Sequence, residues 1–136
     1  MTSPAAPFNR HRWVLVLFWA YAIALCIGTH WPKLQAPGPE GTDKAIHVVV
    51  FAVWAVLCAA CGWFGPPLSW RNLVLSCLVS CAYAVVDELG QAIEWVNRSC
   101  EWADMRANLI GCIGATLLLL LLRKPLAALF PRLLPS

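Results

Sequence analysis

Four long apolar stretches alternate with short polar connections along the chain: Trp13 to Thr29, Ala45 to Phe64, Leu73 to about Trp95, and Ala103 to Leu122. Each runs for roughly 17 to 23 residues, and at about 1.5 Å per residue such a helix crosses a hydrocarbon core about 30 Å thick. The pattern predicts an all-α protein, a four-helix transmembrane bundle. It fills residues 13–122 as one membrane domain, after a polar lead of residues 1–12 and before a tail of residues 123–136. Pro32, Pro37, Gly38, Pro39 and Gly41 keep the first connection irregular, and Gly65-Pro66-Pro67 predicts a tight turn that makes the second and third spans antiparallel neighbours. Pro125 and Pro131 are expected to close the chain beyond the fourth helix. Trp13, Trp31, Trp63, Trp70, Trp95 and Trp102 fall near span ends, where indole favours the membrane interface.

Eight polar residues interrupt this apolar text near span ends. Asp43, Lys44 and His47 open the second stretch, Asp87, Glu88 and Gln91 lie late in the third, and Asp104 and Asn108 open the fourth. In an up-down-up-down bundle all three groups converge at one membrane depth. Polar groups there are costly in hydrocarbon and face a bundle interior or a watery cavity, which marks them as candidate site residues. Asp43 and His47, Asp87 and Gln91, and Asp104 and Asn108 are each one helical turn apart and share a face. Gly111 and Ala115 continue the last of these faces as small residues, a stripe that lets a neighbouring backbone approach closely.

Composition narrows the class. Hydrophobic residues make up 60% of the 136 and charged residues only 12%, against roughly a quarter charged in soluble domains. The net charge of +3 is dispersed, with no basic block interleaved with aromatics, so nucleic acid is not an expected partner. Arg10, Arg12, Arg71, Arg123, Lys124 and Arg132 would lie on one side of the membrane and Lys33, Lys44, Arg98 and Arg106 on the other. The positive-inside rule then puts both termini in the cytoplasm and the polar groups at the outer face. A basic n-region at Arg10 and Arg12 with Ala22-Ile23-Ala24 also fits a cleavable signal, although the apolar run continues past that point. Of seven cysteines, Cys58, Cys61, Cys77 and Cys81 sit among apolar neighbours as small hydrophobes, and Cys100 lies in an external connection; no disulfide framework or zinc motif follows.

Read in order, Asp43-Lys44-x-x-His47, Asp87-Glu88-x-x-Gln91, Arg98-Ser99 and Asp104-x-x-x-Asn108-x-x-Gly111 resemble the VanZ-like family of small polytopic membrane proteins, over about residues 43 to 115. That resemblance implies a four-span bundle in the bacterial cytoplasmic membrane. Through the family's named member it also implies an association with resistance to the lipoglycopeptide teicoplanin. It implies no established reaction.

Several chemistries fit the residues themselves. Arg98 and Lys44 could receive a phosphate or carboxylate, Arg98 bidentately, with Gln91, Asp104 and Asn108 completing a site for a lipid-linked or lipopeptide headgroup whose tails lie in membrane lipid. An enzyme acting on a lipid-embedded substrate would use His47 with Asp43, Asp87 or Glu88 as acid and base. Alternatively, Asp87 and Glu88 pair with Lys44 or Arg98 as structural ties in a subunit of a larger complex. A hard divalent cation on Asp87, Glu88 and Asp104 is chemically reasonable, but no metal motif is present. G-x-S-x-G, H-E-x-x-H and a phosphate loop are all missing, and no cofactor is expected.

Overall fold

A computed structural model of the protein describes residues 10–31, 39, 41–93 and 100–130. Those residues form four helices and no strand: α1 (Arg10–His30), α2 (Thr42–Cys61), α3 (Trp70–Gln91) and α4 (Trp102–Leu129). All four are long and apolar enough to cross a membrane, as expected of a chain that must pair every backbone group internally in lipid. The lead before Arg10, most of the first connection with Lys33, the segment holding Trp95, Arg98 and Ser99, and the tail with Pro131 and Arg132 lie outside the described residues.

Local chemistry sets the helix limits. Gly41, at φ 89°, precedes α2, and Thr42 Oγ1 donates to Pro39 O at 2.8 Å. Asp43 then puts a carboxylate in the first turn, where the exposed N–H groups favour negative charge. Gly62, at φ 67°, ends α2 in the left-handed conformation that glycine adopts without penalty. Ser69 caps α3 by accepting from Asn72 N at 3.3 Å.

Asn72 does more than complete this cap. Fully buried, it donates through Nδ2 to Ala59 O (2.8 Å) and Pro67 O (3.0 Å) and accepts from Phe64 N (3.2 Å) through Oδ1. One carboxamide thus ties the end of α2, the Gly-Pro-Pro turn and the start of α3 into a corner. The expected contact between α2 and α3 is present, but α2 packs most extensively on α4.

That main contact follows the small-residue stripe. Gly111 is buried, and a Cβ there would run into the backbone of Val48 and Ala52. Ala115 packs against the apolar core. The core gathers Phe18, Phe51, Trp54, Leu57, Cys58 and Cys112, with Phe18 stacked on Trp54 at 4.9 Å and Trp54 against Tyr83 at 4.6 Å. Large apolar side chains such as Leu17, Ile23, Leu78, Val86 and Leu121 cover the outside, as a lipid-facing surface requires. Trp13, Trp31, Trp63, Trp70 and Trp102 are exposed near helix ends, as the interface pattern predicts.

One expectation is overturned. Pro125 does not lie beyond the fourth helix; α4 continues through it to Leu129, and Phe130 N still reaches Leu126 O at 2.8 Å. Proline removes a single helical donor, whereas continuing past it adds an i→i−4 hydrogen bond for each further residue up to Leu129.

Candidate functional site

The C-terminal ends of α1 and α3 and the N-terminal ends of α2 and α4 meet at one end of the bundle, and the polar residues collect there in two adjoining groups. The first lies between α2 and α4. Lys44 Nζ sits 2.5 Å from Asp104 Oδ1, 3.1 Å from Asp43 Oδ2 and 3.2 Å from Glu101 Oε2. His47 is buried one turn further in, and its Nδ1 lies 2.8 Å from Asn108 Oδ1. When Nδ1–H donates to that oxygen, the lone pair of Nε2 faces Asp43 Oδ1 at 3.9 Å and Asp104 Oδ2 at 4.0 Å. Asn108 is itself fully buried, and its Nδ2 has no acceptor among the described residues.

The second group joins α1 to α3. Thr29 Oγ1 donates to Asp87 Oδ1 at 2.9 Å, His30 Nδ1 stands 3.7 Å from the same oxygen, and Gln91 Nε2 donates to Asp87 Oδ2 and Glu88 Oε2, both at 3.4 Å. Gly90 makes room for His30, because a Cβ there would come within 2.8 Å of its Nε2. Glu88 links the two groups. Its Oε1 accepts from Glu101 N at 2.8 Å, and it lies in electrostatic range of Asp104 and His47.

All the candidate residues inside the described segments are therefore brought to one end: Asp43, Lys44, His47, Asp87, Glu88, Gln91, Asp104 and Asn108. Arg98 lies outside those segments. The pairings differ from the simplest sequence reading. Among the described residues the carboxylate partners of Lys44 are Asp43, Asp104 and Glu101, while Asp87 and Glu88 are held by hydrogen bonds from Thr29, Gln91 and the Glu101 backbone. The ligand atoms that come within 4.8 Å of one another belong to Asp43, His47 and Asp104. Asp87, Glu88 and Asp104, the set on which a hard cation is chemically reasonable by sequence, are not that group among the described residues.

Thr29 and His30 were not singled out by the sequence pattern. The signal available for them was topological, since the end of the first span must share a membrane face with the start of the second. At the opposite end of the bundle a cleft of about 450 Å³, lined by Arg10, His11, Cys61, Gly62 and Pro67 among others, contains none of the candidate residues. Comparison with protein-family models, with curated proteins and with solved structures finds no match in any of the three.

Proposed function

We propose that the chain is a VanZ-like integral membrane protein of the bacterial cell envelope whose polar end binds the headgroup of an amphiphile, lipid-linked or lipopeptide, while the tails of that amphiphile remain in lipid. The observation that carries this reading is Asn108: a fully buried carboxamide at the centre of the polar end, with an N–H2 group that finds no acceptor among the described residues. A buried donor left unsatisfied costs about 1–3 kcal/mol. A ligand oxygen would relieve that cost. Lys44, held by three carboxylates, acts as a clamp on them, and Arg98 is the proposed anion-binding residue on the chemistry of its guanidinium alone. The ordered motifs from Asp43 to Gly111 support the family reading and its association with teicoplanin resistance.

Expression in a teicoplanin-susceptible bacterium tests the proposal. The wild-type chain should raise resistance, and Asn108→Leu, Asp104→Asn or Arg98→Gln should remove most of that increment while leaving the amount of folded protein within about twofold of wild type. Loss of the folded protein in all three variants would instead favour the structural-subunit reading. The Thr29–Asp87–Gln91 contacts already resemble interhelical ties, so Asp87 is the residue where that outcome is most expected.

A second reading, an enzyme with a membrane-embedded substrate, is favoured by the geometry of His47. One ring nitrogen is anchored on Asn108 and the other faces two carboxylates, the arrangement of a base held by an orienting group. In that case His47→Gln abolishes turnover and leaves headgroup binding intact.

The proposed orientation has the termini in the cytoplasm and the polar end outside. Cys100 lies outside the helices, is exposed, and has a thiol raised above its ordinary pKa, first by desolvation and second by the negative charge of Glu88. A membrane-impermeant maleimide applied to intact cells should label Cys100 alone. The raised pKa lowers the thiolate fraction at neutrality, so the labelling rate should climb about tenfold per pH unit from pH 7 toward that pKa. Labelling only after permeabilisation would reverse the orientation.

A further inference from the structure

We infer that Asp43, His47 and Asp104 bind a divalent transition-metal ion of the zinc class, with coordination positions left open for an oxygen of the ligand. The inference rests on the headgroup-binding reading of the same end of the bundle and gives that site a Lewis-acid anchor.

The division of carboxylate oxygens is the first ground. Asp43 Oδ2 and Asp104 Oδ1 face Lys44, and the other oxygen of each, Asp43 Oδ1 and Asp104 Oδ2, faces His47 Nε2 at 3.9 and 4.0 Å. Lys44 therefore orients two carboxylates so that their remaining oxygens converge with the imidazole. Tetrahedral ligands at 2.0–2.2 Å from zinc stand about 3.4 Å apart, so each carboxylate oxygen needs to approach the imidazole by only about 0.5 Å, and the three ligand atoms already lie within 4.8 Å of one another. His47 has the outer support that such ligands use, an Nδ1–H group donating to Asn108 Oδ1 that leaves Nε2 free to coordinate.

Charge and ligand type agree with the geometry. Two carboxylates and one imidazole form a ligand set whose two negative charges one divalent ion balances. An imidazole among the ligands favours zinc and its neighbours over magnesium or calcium. The set also differs from a closed structural site in supplying three protein ligands, which leaves room for exchangeable oxygen.

An independent observation points to that oxygen. Asn108 Nδ2 is buried and has no acceptor among the described residues, and it belongs to the same carboxamide whose oxygen meets His47. It therefore stands beside the ligand set as an unused donor, available to a water or headgroup oxygen that enters the site.

The test uses the full chain purified in detergent without a histidine tag and stripped with a chelator. Titration with zinc alone in a calorimeter should give one ion per chain with a micromolar or tighter Kd. His47→Gln and Asp104→Asn should weaken binding at least 100-fold, Asn108→Ala by about 10- to 100-fold, and Cys100→Ser not at all. Zinc should raise the melting temperature of the wild type and leave that of His47→Gln unchanged. Absence of saturable binding by the wild type, or wild-type affinity in folded His47→Gln, overturns the inference. If His47→Gln does not fold, Asp43→Asn decides by the same criterion, because its carboxylate is the most exposed of the three ligands. The resistance assay separates the two readings: no zinc binding with an Asn108-dependent increment removes the metal and keeps the headgroup site. Zinc binding without any increment does the reverse.

Discussion

Gly111→Leu is expected to keep α4 from seating on α2 and to leave little folded protein. A Cβ at this position would already collide with the Val48 carbonyl and press on Ala52 N, and both are backbone atoms of a packed helix that no rotamer change can move. Overpacking typically costs about 1–3 kcal/mol where neighbours can adjust. Gly111→Ala should fall at the top of that range, and leucine beyond it. Gly114 is the internal control, because a Cβ there meets nothing within 4 Å. Gly114→Ala should be neutral or stabilise α4 by about 0.5–1 kcal/mol, the ordinary preference of a helix interior for alanine. Thermal unfolding in detergent, followed by circular dichroism, measures all three. Equal melting of Gly111→Ala and Gly114→Ala would mean that the close approach of α2 and α4 does not limit stability.

The second large effect is expected from Asn72→Ala, at the far end from the candidate site. Truncation removes the acceptor of Phe64 N–H and the donors to the Pro67 and Ala59 carbonyls. Ala59 O keeps a bond from Gly62 N, so two groups lose the partner described for them. A buried unsatisfied group costs about 1–3 kcal/mol, and with both groups only partly buried the variant should fall about 2–4 kcal/mol below wild type. Ser69→Ala, which removes only the α3 cap, should cost about 1 kcal/mol. If the two variants unfold together, the corner is not what joins α2 to α3.

Much of the fold was legible because lipid permits so few solutions. Apolar runs of spanning length predict helices, and short connections predict that consecutive helices run antiparallel. The face carrying Asp104, Asn108, Gly111 and Ala115 was readable as the packing face of α4, since its polar and small members recur at helical spacing. Convergence of the eight polar residues followed from the same count. Individual partners did not, because a sequence leaves open how far each helix turns about its own axis. That rotation decides that Lys44 meets Asp104 and Glu101, and that Asp87 meets Thr29. Asn72 carried no visible signal, since an asparagine shortly after a Gly-Pro-Pro turn looks like any solvated turn residue until three backbone groups are seen around it. Pro125 misled for the opposite reason: its local preference is strong, but the missing donor affects one hydrogen bond while the helix around it satisfies many.

The α2–α4 pairing also bears on how the chain is assembled. Helices enter a membrane in the order of synthesis, yet His47 takes its partner from Asn108, 61 residues downstream. Asp43 and Lys44 likewise meet Asp104 and Glu101 only once α4 has begun. Before α4 is made, these groups of α2 lack those partners and the close contact of Gly111 with Val48 and Ala52 cannot form. The packing stripe and the ionic cluster thus both depend on the last helix to be made.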